Sequence, residues 1–190
     1  MKWLCRKLNS FSQAQFDNAY ENLTDSRKAR IDRLHHQEDR LRSLAGDILV
    51  QELAAEFGVS KAAVQVLPSG QPILATCNLH ISITHCQDQI ACAMDTAPVG
   101  IDMEALRPFR PGVLRHVCND RETEYVLGGL VVSEEEITDV NCIERFFEVW
   151  TAKEAWFKKI GTGITNLPKA DVLPMKRQIF RIDDFIIQIV

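Results

Sequence analysis

The stretch Cys142-Ile-Glu-Arg-Phe-Phe-Glu-Val-Trp-Thr-Ala-Lys-Glu-Ala-Trp-Phe-Lys-Lys-Ile160 reads as one long helix. At about 100° per residue, Ile143, Phe146, Phe147, Val149, Trp150, Trp156, Phe157 and Ile160 fall on a broad apolar arc. Lys153 and Glu154 lie inside that arc, and Lys158 follows Glu154 by one turn on its edge. A charge at a buried position loses several kcal/mol of hydration unless something pairs with it. The strand-like Gly100-Ile-Asp-Met-Glu104 repeats the conflict. Asp102 and Glu104 project from one face, roughly 6.6 Å apart along the chain at about 3.3 Å per residue, close enough for one hard cation to bridge. Three carboxylates and two lysines suit a divalent cation carrying a phosphorylated substrate, with Asp102, Glu104 and Glu154 as metal ligands and Lys153 and Lys158 on phosphate. Each stretch alone also has an ordinary reading. The acids on the strand can be a solvated face, Lys153 can snorkel, and Glu154 can pair with Lys158 for roughly 0.2–0.5 kcal/mol.

With 190 residues and 46% apolar side chains, the chain can bury a sizeable core as one domain or two small subdomains. Lys and Arg total 22 against 26 acidic residues, a net charge of −4, which gives a nucleic-acid partner no support. Cys5, Cys77, Cys86, Cys92, Cys118 and Cys142 show neither a C-x-x-C pair nor zinc spacing, so reduced thiols are expected. Met1-Lys-Trp-Leu-Cys-Arg-Lys7 has no leader-like apolar run, and nowhere do 18 apolar residues stand together. The expectation is a cytoplasmic protein without a membrane anchor.

Outward from the long helix, residues 11–33 read as helical and polar, and a second helix runs from Gln37 to Phe57 with Gly58 as its stop. Residues 63–67 form a short strand before the turn Pro68-Ser-Gly-Gln-Pro72. Leu79, Ile81 and Ile83 alternate with polar residues, and Ile90 to Met94 complete a hairpin. Asn119-Asp-Arg-Glu122 opens a further helix as a capping box. The acidic run Glu134 to Glu136 reads as a solvated face, and residues 179–182 and 185–190 as two closing strands.

Val99-Gly-Ile-Asp-Met-Glu104, followed by Trp150-Thr-Ala-Lys-Glu-Ala-Trp-Phe-Lys158 with Gly161 and Gly163, resembles the paired signature of the 4'-phosphopantetheinyl transferases. That signature is (V/I)-G-(I/V)-D-x-E and then W-x-x-K-E-A-x-x-K-x-x-G-x-G. Similarity extends through most of residues 26–167: Glu38-Asp-Arg-Leu-Arg-Ser-Leu-Ala-Gly-Asp47 is similar to the family's E-D-x-x-R-(S/T)-L-x-G-D helix, and His80-Ile-Ser-Ile-Thr-His85 to its x-(I/V)-S-(I/H)-(S/T)-H strand. Two departures stand out. Gln71 occupies the place of a frequent lysine, and the chain stops at Val190, which puts the completeness of a second sheet in question.

The resemblance, closest to the monomeric surfactin-synthetase-activating type, implies an α+β fold. Two similar subdomains related by a pseudo-twofold, residues 1–98 and 99–190, would each be a long helix on a small antiparallel sheet, with the active site between them. It implies transfer of 4'-phosphopantetheine from coenzyme A to a serine of an apo acyl or peptidyl carrier protein, with release of adenosine 3',5'-bisphosphate. Mg²⁺, or Mn²⁺ in its place, would sit on Asp102, Glu104 and Glu154. Arg27 and Arg30 would bind the 3'-phosphate, Arg42 and Ser43 would lie near the adenylate end, and Thr84 and His85 beside phosphate. Lys158, with Lys153 behind it, would stabilise the leaving oxygen. Glu122 would be the general base, with Glu124 as the alternative. The carrier would dock on Phe109, Arg110, Val113, Leu114 and Arg115. Two other readings remain open: an inactive coenzyme A- or carrier-binding homologue, motivated by Gln71 and the short end, and a metal-dependent phosphodiesterase, which the net acidity disfavours.

Overall fold

The computed structural model describes residues 1–133 and 135–190, so Glu134 of the acidic run lies outside the described residues. The chain divides into two units, Met1–Gly100 and Ile101–Val190.

In the first unit, β1 (Lys2–Lys7) is followed by α1 (Gln13–Glu21), α2 (Asp25–Asp32) and α3 (Gln37–Glu56). Then come β2 (Val64–Val66), β3 (Pro72–Leu74), β4 (His80–Cys86) and β5 (Gln89–Asp95). The main sheet has the antiparallel order β1-β5-β4, and β2 and β3 pair separately. The helical span expected over 11–33 is two helices. Asn22 caps α1 by donating from Nδ2 to the Asn18 carbonyl, and Thr24 opens α2 by accepting from the Arg27 amide. Two strands escaped the sequence reading: β1, whose polar and apolar residues mix at a sheet edge, and β3, which begins on a proline. Leu49, Val50 and Leu53 of α3 are fully buried in one core with Ile81, Ile90, Cys92 and Met94 of the sheet. Burial of each large aliphatic chain stabilises by roughly 1.5–3 kcal/mol relative to exposure.

In the second unit, β6 (Ile101–Ala105) is followed by the short α4 (Leu114–Val117), α5 (Asp120–Leu127), α6 (Val140–Ile160), β7 (Gln178–Ile182) and β8 (Phe185–Ile189). The sheet order is β6-β8-β7, antiparallel throughout. This second sheet has three strands among the described residues, with β8 in its centre. Every residue of β8 is buried, and α6 packs on β6 and β8. Asn119 and Glu122 form the expected capping box, and left-handed Gly128 (φ 56°) ends α5. Asp139 caps α6 and left-handed Gly161 (φ 69°) closes it. Each unit thus sets one long helix on a small antiparallel sheet, an α+β architecture. Among the described residues no helix is long and apolar enough to cross a membrane.

Candidate active site

Strand β6 and helix α6 bring four of the expected residues together. Asp102 and Glu104 stand opposite Gln188 and Ile186 of β8, which fixes the pleat and sends both carboxylates to one face. Asp102 is buried, and the Lys158 ammonium lies 2.6 Å from its Oδ1. Glu104 is half-buried. The Trp150 indole Nε1 donates to its Oε1 at 3.2 Å and Arg107 Nη1 donates to its Oε2 at 2.9 Å, while the Arg107 guanidinium lies over the Phe147 ring. Burial pushes the Glu154 carboxyl up to about 7; the neighbouring charge of Asp102, and further that of Glu104, adds to this, and Lys158 opposes it. Glu154 therefore feels the charge of both strand carboxylates.

Among the described residues, no three or more acid, histidine or cysteine side chains close into a ready-made metal cage. Magnesium characteristically takes one or two protein carboxylates plus water and substrate phosphate oxygens, which does not require such a cage. An all-oxygen donor set of carboxylates on β6 and the facing turn of α6, buried or half-buried, fits a hard divalent cation.

Two expectations need correction. Glu122 and Lys153 have no exposure, and Lys153 Nζ lies 2.6 Å from Glu122 Oε2. Glu122 also accepts from the backbone amides of Asn119 and Val172, and Lys153 donates to the Leu167 carbonyl at 2.7 Å. A carboxylate enclosed this way cannot take a proton from a substrate, nor can that ammonium reach a phosphate. The runner-up base, Glu124, is exposed and lines a shallow depression with Arg121, Tyr125 and Arg145, a lining that includes none of Asp102, Glu104, Glu154 or Lys158.

In the first unit Arg27 is likewise turned inward. Its Nε binds Asp47 at 3.0 Å and its Nη2 donates to Ser43 Oγ at 2.8 Å, so the guanidinium and Ser43 are largely spent on a buried network rather than on a surface phosphate site. Arg42 is paired with Glu38 and Asp39 at 2.9 and 3.0 Å. Arg30 is exposed in the last turn of α2. Thr84 is buried on β4, and His85 is exposed beside it. Of the expected carrier patch, Phe109 and Leu114 belong to the core: the Phe109 ring stacks on Phe146 at 4.1 Å between centroids, and Leu114 is 3% exposed. Arg110 and Arg115 are exposed and Val113 is half-buried. Trp150 and Arg107 were missed as partners of Glu104. Trp150 reads from the sequence as an apolar position and as the start of the second signature, neither of which points to a carboxylate partner.

Burial raises the Asp47 carboxyl to about 6 against the opposing pull of Arg27. Its folded pKa lies above its unfolded value near 3.8, so the folded state holds the extra proton between the two, and stability falls as pH rises through that window. The loss is on the order of 2–3 kcal/mol. Denaturant titrations at pH 4 and pH 7 should show a larger fall in the parent protein than in Asp47→Asn, the raised Glu154 carboxyl contributing equally to both. The cost of leaving Arg27 without a charged partner is the same at both pH values and cancels from that comparison.

Residues 98–188 match the sequence model of the 4'-phosphopantetheinyl transferase superfamily. The chain is 28% identical over 159 residues to a 4'-phosphopantetheinyl transferase of Bacillus subtilis, covering 81% of this chain and 67% of that protein. It is 26% identical over 158 residues to the transferase Sfp of Bacillus subtilis strain 168, with the same coverage. To the transferase HetI of a Nostoc species it is 29% identical over 170 residues, covering 84% of this chain and 68% of HetI.

Proposed function

We infer that this chain, a member of the 4'-phosphopantetheinyl transferase superfamily, moves the 4'-phosphopantetheine group of coenzyme A onto a serine of an apo acyl or peptidyl carrier protein, releasing adenosine 3',5'-bisphosphate. The observation that carries this reading is the juxtaposition of Asp102 and Glu104 on β6 with Glu154 and Lys158 on α6, inside the region that matches the superfamily. The second unit supplies the chemistry, and the first supplies contacts to the coenzyme.

In the reaction the serine oxygen bonds to the β-phosphorus of the pyrophosphate while the bond from that phosphorus to the bridging oxygen breaks. The serine proton needs an acceptor and the departing oxygen needs charge neutralised. Glu154 is the acceptor we assign in place of the enclosed Glu122, since it is a half-buried carboxylate of the cluster, one helical turn from Lys158. Lys158 neutralises the departing oxygen. Asp102, Glu104 and Glu154 would hold Mg²⁺, or Mn²⁺ in its place, and that ion would supply charge neutralisation at the pyrophosphate. Trp150 and Arg107 hold the Glu104 carboxylate in place. Arg30, Arg42, Thr84 and His85 are the residues we assign to the coenzyme's phosphates and adenylate end. We place the enzyme in the cytoplasm as a monomer, its six cysteines thiols.

The deciding experiment incubates the protein with coenzyme A, Mg²⁺ and a panel of apo carriers, and looks for the mass gain of one phosphopantetheine on the carrier. Coenzyme binding with no label on any carrier would favour an inactive binding homologue. Arg30→Ala should raise the coenzyme KM roughly tenfold with kcat within about twofold, the pattern of lost uniform binding. An equal fall in kcat and kcat/KM would remove Arg30 from a simple binding role.

A further inference from the structure

The buried pair of Glu122 and Lys153 has a geometry more directional than packing requires. Four contacts of 2.6 to 3.0 Å converge on it: the ion pair, the Asn119 and Val172 amides on Glu122, and the Leu167 carbonyl on Lys153. They join the start of α5, the middle of α6 and the segment around residues 167–172. On α6 the neighbouring inward positions are small. Ala152 and Ala155 are fully buried, and apolar contacts at these positions carry no directional bond. A fixed ion pair resists both. Farther along, buried Gln188 donates from Nε2 to the Glu148 carbonyl and ties α6 to β8 at a second point.

Lys153 immediately precedes Glu154 and stands five residues before Lys158. A rotation of α6 by about 20° would carry a carboxyl about 6 Å from the helix axis through roughly 2 Å. Displacement of a reacting group by about 1 Å can cost on the order of a hundredfold in rate. A buried ion pair is weak as a source of stability compared with well-packed apolar residues, so its use here calls for another reason.

We propose that Glu122 and Lys153 are positioning residues, a buried lock that sets the rotation and register of α6 and thereby holds Glu154 and Lys158 against Asp102 and Glu104. The kinetic part rests on the transferase reading; the structural part does not. The test uses the whole chain as Glu122→Gln/Lys153→Met, which removes both charges and keeps an acceptor for the cap. Glu122→Asp is the second variant, which keeps the pair but shortens it. Two readouts are taken. The first is the Trp150 indole N–H resonance, which reports the hydrogen bond from α6 to Glu104, with Trp3 of the first unit as reference. The second is carrier labelling at saturating Mg²⁺.

In the double variant the Trp150 resonance should move toward that of an unbonded indole while Trp3 stays put. In the same variant kcat should fall at least about tenfold with the coenzyme KM within about twofold. Glu122→Asp should move both readouts the same way by less, and it decides the matter if the double variant does not fold. An unmoved Trp150 resonance in a folded variant overturns the lock. So does unchanged kcat where the parent labels a carrier. Should the parent label none, the transferase reading fails, and the indole resonance still judges the lock.

Discussion

Glu154→Gln is expected to lower carrier labelling by roughly 10²–10⁴-fold, the range removed with a general base, while leaving the protein as stable as the parent or more so. The two halves of that expectation have one cause. Burial, Asp102 and Glu104 all disfavour the Glu154 anion, so a neutral isostere relieves a repulsion that the folded state otherwise carries. The same substitution removes the carboxylate we assign to accept the serine proton, and it removes one anionic oxygen donor to Mg²⁺. Thermal unfolding and the labelling assay on the same preparation check both halves. Labelling within about threefold of the parent would exclude Glu154 from proton transfer and from the metal shell. Labelling lost together with the fold would instead mark the residue as structural.

The cluster was legible because strand and helix periodicities are local. The alternation of β6 puts Asp102 and Glu104 on one face, and the helical spacing of α6 puts Glu154 and Lys158 one turn apart; both follow from residue order alone. What the chain order does not encode is which distant group meets an inward charge. Lys153 was seen to lie within an apolar arc and Glu122 to cap a helix, yet only tertiary packing makes each the answer to the other's burial. Arg27 gives the same lesson in the first unit: the family resemblance implied a phosphate-binding role, while Asp47, on the next helix, draws it inward. Phe109 lies in a segment rich in arginine and proline and Leu114 opens α4 just after it; composition there suggests exposure, and the stacking of Phe109 on Phe146 and the burial of Leu114 decide otherwise. Strand β1 was missed because an edge strand needs only one apolar face, and its neighbour β5 carries the stronger pattern.

Breaking the Glu122–Lys153 pair from one side is expected to cost about 3–5 kcal/mol, because the remaining charge stays buried without its counter-ion. In a chain of this size that lowers Tm by roughly 10 °C. The two single variants should not be equivalent. Lys153→Met leaves Glu122 with the Asn119 and Val172 amides as donors, so part of the carboxylate's solvation survives. Glu122→Leu leaves the ammonium with the Leu167 carbonyl as its remaining partner and also removes the capping-box acceptor of the Asn119 amide, so it should be the more damaging. Removing both charges together should destabilise by much less than the sum of the singles, since no orphaned ion remains in the double variant. Calorimetry on the four members of this cycle gives the coupling directly. If each single variant unfolds within about 1 kcal/mol of the parent, the interior around α5 and α6 must admit water or move enough to solvate a lone charge. A segment that mobile could not hold Glu154 and Lys158 in register with β6, and positional control of the active cluster would have to come from Gln188 and the Trp150–Glu104 hydrogen bond instead.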